Sequence, residues 1–302
     1  MRLLAYSGYE PRERERSNAG DTTSDRSACA DLVTFPVTPR RDNPSWRSRR
    51  MTQPVSTPLF ELSNQDAVAW LRALPAASVD LLITDPAYES LEKHRAVGTT
   101  TRLKHSKASS NDWFTVFPNA RFDELFEQVY RVLRDDTHFY LFCDAETMFE
   151  AKPKAERAGF KFWKPLVWDK QTIGMGYHYR ARYEFILFFE KGKRRLNDLG
   201  IADIINVPRV HRGYPAEKPV GVSDVLVKQS SSPGDVIADP FMGSGSVGEA
   251  ALMNGRRFLG TDLNAAAVRV TGERLQKFGE GRQPDLGDIT TTDLLSLMGT
   301  EP

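Results

Sequence analysis

The run from Ser78 to Thr84, mostly apolar and of strand length, stops at Asp85-Pro86-Ala87-Tyr88. It would deliver an acid and an aromatic to the carboxyl end of a strand, where ligands and chemistry collect in open α/β sheets. A proline-capped strand with Tyr88 packed inside is the plainer reading of the same residues. A second stretch adds to it. Val236 to Ala238 reads as another strand and runs into Asp239-Pro240-Phe241-Met242-Gly243-Ser244-Gly245, and Gly243, Gly245 and Gly248 have GxGxxG spacing ahead of a helical pattern. Asp262 closes the strand that follows that helix. Glycines let a backbone approach a ligand closely, and a carboxylate after the next strand can take ribose hydroxyls, so the pattern suits a nucleoside or dinucleotide cofactor.

The elements that must position these residues alternate. Leu59 to Asn64 reads as a strand, Asp66 to Leu74 as a helix with Asp66 as N-cap, and the strand into Asp85 follows. After a long polar stretch come a helix over 122–133, a strand over 137–143, a helix over 145–158 and two strands over 160–168 and 183–189. A helix over 220–229, the strand 236–238, a helix over 245–254, the strand 257–262 and a helix over 265–278 complete the pattern. Seven strands interleaved with helices predict a mostly parallel α/β sheet covered on both faces.

With 302 residues and 40% hydrophobic content the chain can bury one good core, and a formal net charge of +1 places any nucleic-acid footprint in local clusters. Residues 1–52 are rich in Arg, Ser and Pro without an apolar period and read as a disordered basic arm, with a passive tail, or a start at Met51, favoured over a phosphate-holding role. The core domain is expected over 53–280 and a loose tail over 281–302. Glu89 to Arg121 carries Lys93, His94, Arg95, Arg102, Lys104, His105 and Lys107 directly after the Asp85 turn, which suits contact with DNA phosphates and bases. Cys29 and Cys143 make no metal or disulfide pattern, no metal ligand set is expected, and no apolar run is of membrane-spanning length. These features predict a cytoplasmic protein.

Taken together, Asp85-Pro86-Ala87-Tyr88 and Phe241-Met242-Gly243-Ser244-Gly245 resemble the catalytic (D/N/S)PP(Y/F) motif and the FxGxG cofactor loop of the DNA amino-methyltransferases. The catalytic motif precedes the cofactor loop, the circularly permuted order of that family's β class. The resemblance runs from about Phe60 to Phe278 and implies a Rossmann-like methyltransferase fold. It also implies S-adenosyl-L-methionine as cofactor and double-stranded DNA as substrate. By the same resemblance Asp239 sits where the cofactor's ammonium wants an acid, Asp262 stands at the ribose, and Asp66 of Asn64-Gln65-Asp66 lies near the adenine. Lys218-Pro219 matches the turn that opens the helix leading into the cofactor half, with Tyr214 in place of the usual His, and the resemblance implies that Lys218, Asp85 and Phe241 also border the cofactor. Trp168, Lys170, Gly174, Gly176 and Arg180 correspond to a region that helps form the target-base pocket, although core packing suits Trp168 equally. The stretch 191–213 falls where the β class reads its target sequence, alongside the loop after Tyr88.

The resemblance implies that the Asp85 carboxylate and the Pro86 carbonyl accept hydrogen bonds from an exocyclic amino group, and that Tyr88 offers a stacking face to a flipped-out base. Transfer to adenine N6 is the leading expectation and cytosine N4 the nearest rival, with a DNA-binding relative that keeps cofactor but turns over weakly behind them. A nicotinamide oxidoreductase is more distant, because nothing arranged for hydride chemistry accompanies the glycines. Ala87 departs from the family's second proline. Pro fixes φ and Ala does not, so a looser turn is expected, and an Ala87→Pro variant should be faster. A homodimer and a cognate restriction endonuclease are left open as partners.

Overall fold

Strand β2 (Val79–Thr84) is buried along its whole length and sits near the middle of an eight-stranded sheet. The computed structural model describes residues 57–90, 115–174, 178–210, 214 and 216–283. The basic arm, most of the insertion after Tyr88, Gly176 and nearly all of the tail lie outside them. The remaining strands are β1 (Phe60–Ser63), β3 (Leu133–Cys143), β4 (Lys161–Asp169), β5 (Tyr183–Lys191), β6 (Ile204–Asn206), β7 (Val236–Asp239) and β8 (Arg257–Thr261). The helices are α1 (Ala67–Ala73), α2 (Phe122–Val132), α3 (Ala145–Arg157), α4 (Val220–Ser230), α5 (Ser246–Met253) and α6 (Ala265–Gln276). The spatial order is β1-β8-β7-β2-β3-β5-β4-β6, and β5 runs opposite to both its neighbours while the other pairings are parallel.

Alternation along the strands sorts the core into two layers, because successive side chains leave a strand on opposite faces. Leu81 and Ile83 join Tyr140, Phe142, Val222, Leu226, Val247 and Leu275 under α4, α5 and α6. Leu82 joins Phe139, Leu141, Leu71, Phe126, Val129 and Ala151 under α1, α2 and α3. Both faces of the central strands are therefore covered, as parallel sheets require. Among the described residues, no helix is long and apolar enough to cross a membrane.

The sheet has one strand more than the seven expected. The addition is β6, which pairs Ile205 with Trp168 and buries only that one side chain of its three. Three residues with one inward apolar side chain carry no readable alternation, so the segment looked like part of a basic connection.

The topology decides where the site lies. β2 and β7 are parallel neighbours, with Leu81 opposite Ile237 and Leu82 opposite Ala238. From β2 the chain goes on through α2 to β3 on one side, and from β7 through α5 to β8 on the other. The strand order reverses there, which opens a crevice at their carboxyl ends. Asp85 and Asp239 both stand at that edge.

Candidate active site

Thr84 Oγ1 donates to Asp239 Oδ1 at 2.8 Å, in a fully buried setting, and so fastens the ends of β2 and β7 together. The Phe241 amide donates to the same oxygen at 3.0 Å. Asp239 is only 3% exposed, and burial pushes its pKa up to about 7 against the pull of these two hydrogen bonds. Among the described residues no cation compensates a carboxylate held there, an environment an ammonium group would relieve.

The loop after Asp239 is shaped by its glycines and by Asp262. Gly243 has φ +50°, and a β-carbon built on it would meet no atom within 4 Å, so its left-handed backbone faces open space. Gly245 has φ +80°, and its missing β-carbon would lie 2.7 Å from Thr271 Cγ2. Thr271 Oγ1 donates to the Gly243 carbonyl at 2.8 Å, and Arg274 Nη1 to the Ser244 carbonyl at 2.7 Å. Asp262 accepts the Gly243 amide at 3.0 Å on one oxygen and the Asn264 amide at 2.8 Å on the other. Burial raises its pKa and these amides oppose the rise. Each oxygen keeps lone-pair capacity for a further donor, which fits a ribose diol. Tyr214 is near as well, since burial and the Asp262 charge both push its hydroxyl pKa upward. A buried acid at the loop's start, an open glycine and a fixed carboxylate at its end fit the donor and acceptor pattern of S-adenosyl-L-methionine.

The Asp85 turn borders this loop. Lys218 Nζ pairs with Asp85 Oδ2 and lies 3.3 Å from Glu184 Oε2, while Lys170 Nζ is 2.5 Å from Glu184 Oε1. The Asp85 side chain keeps 27% of its surface accessible, so a ligand can reach it. Burial raises the Asp85 pKa, Lys218 draws it down and Glu184 pushes it up, with a net rise. Burial also works against Glu184 ionisation, but Lys218 and Lys170 hold its pKa below the usual carboxylate value. Lys218, expected at the cofactor, is thus placed against the Asp85 turn.

Ala87 is not left loose. Its carbonyl accepts the Phe117 amide at 2.7 Å, and Tyr88 forms a bridge with Phe117. Tyr88 is 7% exposed and packs in the α1–α3 core layer, supporting the turn instead of standing free of it. The insertion between β2 and α2 leaves and returns at this point, with the Asn119 amide donating to Glu89 Oε1 at 2.9 Å.

Asp66 takes the N-cap role, accepting the Val68 and Ala69 amides at 3.1 Å, and Arg121 grips it through two hydrogen bonds of 2.8 and 3.0 Å. The Arg121 guanidinium lies 5.2 Å from the centre of the Phe117 ring, which meets Phe241 edge-on at 5.0 Å. Asp66 is therefore linked to the glycine loop through Arg121, Phe117 and Phe241. Trp168 is 2% exposed and donates to the Val207 carbonyl at 2.8 Å, the packing role. Glu184, Arg121, Phe117, Thr84 and Arg274 were not singled out from sequence. Each acts through a partner distant in the chain, so no local pattern marked it.

A family model described as DNA methylase, N6_N4_Mtase, matches residues 79–273, more than half of the chain. The chain belongs to this DNA methyltransferase family. The DNA adenine methyltransferase YhdJ of Escherichia coli is 25% identical over 252 residues, covering 70% of this chain and 80% of that protein. TTHA0409 of Thermus thermophilus, solved in complex with S-adenosyl-L-methionine, superposes with TM-score 0.57 at 20% identity over 76% of this chain and 99% of the other. The cytosine-N4-specific PvuII DNA methyltransferase superposes with TM-score 0.53 at 14% identity over 73% and 93%.

Proposed function

We propose that this DNA methyltransferase uses S-adenosyl-L-methionine to methylate the exocyclic N6 of adenine in a base swung out of duplex DNA. The observation that carries the reading is the fastening of the Asp85 turn to the Asp239 loop at adjacent parallel strand ends through Thr84. Adenine is favoured by the Asp-Pro-x-Tyr form of the turn and by the likeness to YhdJ. Cytosine N4 is the second reading, favoured by the shared fold of the cytosine-specific PvuII enzyme.

When bound, the cofactor supplies a methyl carbon already activated by its sulfonium leaving group. Asp239 would hold its ammonium, Asp262 its ribose hydroxyls, and Gly243 would let the backbone close on it. The protein's remaining task is the nucleophile, since an exocyclic amino group has its lone pair delocalised into the ring. Asp85 Oδ2 is taken by Lys218, which leaves Oδ1, with the Pro86 carbonyl, to accept the two amino hydrogens. Two acceptors in fixed positions favour a pyramidal nitrogen and meet the positive charge that grows on it. The surplus proton then leaves through Asp85 or water. Tyr88 and Phe117 hold the turn rigid while this happens.

The test is digestion of treated DNA to nucleosides and identification of the modified base by mass. N6-methyladenosine as the deoxynucleoside is expected; N4-methylcytosine would transfer the assignment to the second reading, and neither product would end both.

A further inference from the structure

Four charged side chains from four separate parts of the chain form an alternating row beside the turn: Asp85, Lys218, Glu184 and Lys170. Asp85 follows β2, Lys218 precedes α4, Glu184 belongs to β5 and Lys170 follows β4. The Lys218 ammonium lies between the two carboxylates, 5.6 Å from the centre of the Phe142 ring, with its side chain 13% exposed. Glu184 in turn is shared between two lysines, at 3.3 Å and 2.5 Å. Burying such a row costs desolvation that apolar residues would avoid, so stability is a weak explanation for it. Both ends of the row reach the surface, Asp85 with 27% of its side chain accessible and Lys170 with 23%, and the Asp85 end is the one that borders the glycine loop.

Resting on the methyl-transfer reading of the site, we infer that Lys218 is a positioning residue for Asp85. Anchored on its other side by Glu184, it pairs with Oδ2 of Asp85 and turns Oδ1 toward the amino group of the target base. The groups facing Asp85 are Lys218, Glu184 and Lys170, with Asp239 on β7, Tyr88 in the turn itself and Cys143 at the end of β3. Lys218 supplies the nearest positive charge in this set. Burial works against its own charge, but the two carboxylates raise its pKa above that of an ordinary lysine, so it stays an ammonium and does not act as a base.

The experiment is the single-turnover rate of labelled methyl transfer to DNA against pH, at saturating cofactor so that titration of Asp239 does not enter. Lys218→Met should move the acid limb to higher pH, with a loss on that limb of about tenfold for each pK unit moved, recovering in alkali. Glu184→Gln removes the like charge and should move the limb the other way, and Lys218→Arg should keep it near the wild-type position. Cofactor affinity by calorimetry should stay within about twofold in Lys218→Met, since a positioning role lies outside uniform binding. An unmoved limb with cofactor affinity and rate falling together would overturn the inference and return Lys218 to the cofactor. Should Lys218→Met fail to fold, a limb lowered in Glu184→Gln beside one unmoved in Lys218→Arg sustains the inference, and an unmoved limb in Glu184→Gln overturns it. If the wild-type protein transfers no methyl to DNA, the proposed function fails on its own, and the carbon-13 titration of the Asp85 carboxyl remains as readout. A midpoint higher in Lys218→Met than in wild type sustains the inference; an unchanged midpoint refutes it.

Discussion

Asp239 combines deep burial with a pKa near 7, and this makes cofactor binding a proton-linked event. In the free protein the acid is largely protonated below pH 7, and an arriving ammonium favours the carboxylate, so binding should release protons there and tighten as pH rises through about 7. Calorimetry in buffers of differing ionisation heat measures this directly. A heat of binding independent of buffer would show that Asp239 does not receive the cation. Stability carries the matching sign. Because the folded pKa lies above the unfolded value of 3.8, the contribution of the protonated acid is full below pH 3.8 and is lost as pH climbs through about 7. Asp239→Asn should therefore gain stability relative to wild type between pH 5 and 7.5 in thermal melts without cofactor, while losing cofactor affinity.

The elements that carry the site are two turns, and each is stiffened in its own way. In the cofactor loop the left-handed backbone of Gly245 against Thr271 leaves no room for a side chain. Gly245→Ala should cost about 1 to 3 kcal/mol in denaturant unfolding and weaken cofactor binding more than Gly243→Ala, whose strain is similar but whose surroundings are open. In the Asp85 turn the expected looseness at Ala87 is absent, because Phe117 supplies a main-chain hydrogen bond and Tyr88 bridges to it. The advantage anticipated for Ala87→Pro is therefore small. Its transfer rate should lie within about twofold of wild type, whereas Phe117→Ala, which takes away a buried ring, should cost about 3 to 5 kcal/mol and lower the rate. A large acceleration in Ala87→Pro would show that the bridge leaves the turn mobile.

Across the whole molecule, what could be read from sequence follows the range of the interactions involved. The strands into Asp85 and Asp239, the helices between them and the glycine loop announce themselves through local periodicity and turn chemistry. Their meeting at one edge followed from the rule that chemistry in open sheets gathers at carboxyl strand ends. The eighth strand escaped because Ile204–Asn206 buries a single side chain. The pairing of Lys218 with Asp85 was out of reach because a motif gives position in the chain and not the partner across the fold. The fork of Arg121 on Asp66 and the Phe117 bridge join residues tens of positions apart, and pattern reading has no access to them. Charge is similarly nonlocal: a net +1 hides a half-buried row of two acids and two lysines.

The central claim is that the end of β2 supplies the acceptor for a nucleobase beside a cofactor held at the end of β7. It is tested most directly by Asp85→Ala, which removes both side-chain oxygens, followed for cofactor binding and for single-turnover transfer of labelled methyl to DNA. The cofactor should still bind while transfer falls by about 10²-fold or more, the scale on which loss of one preorganised electrostatic group acts. Transfer at the wild-type rate in Asp85→Ala would contradict this arrangement.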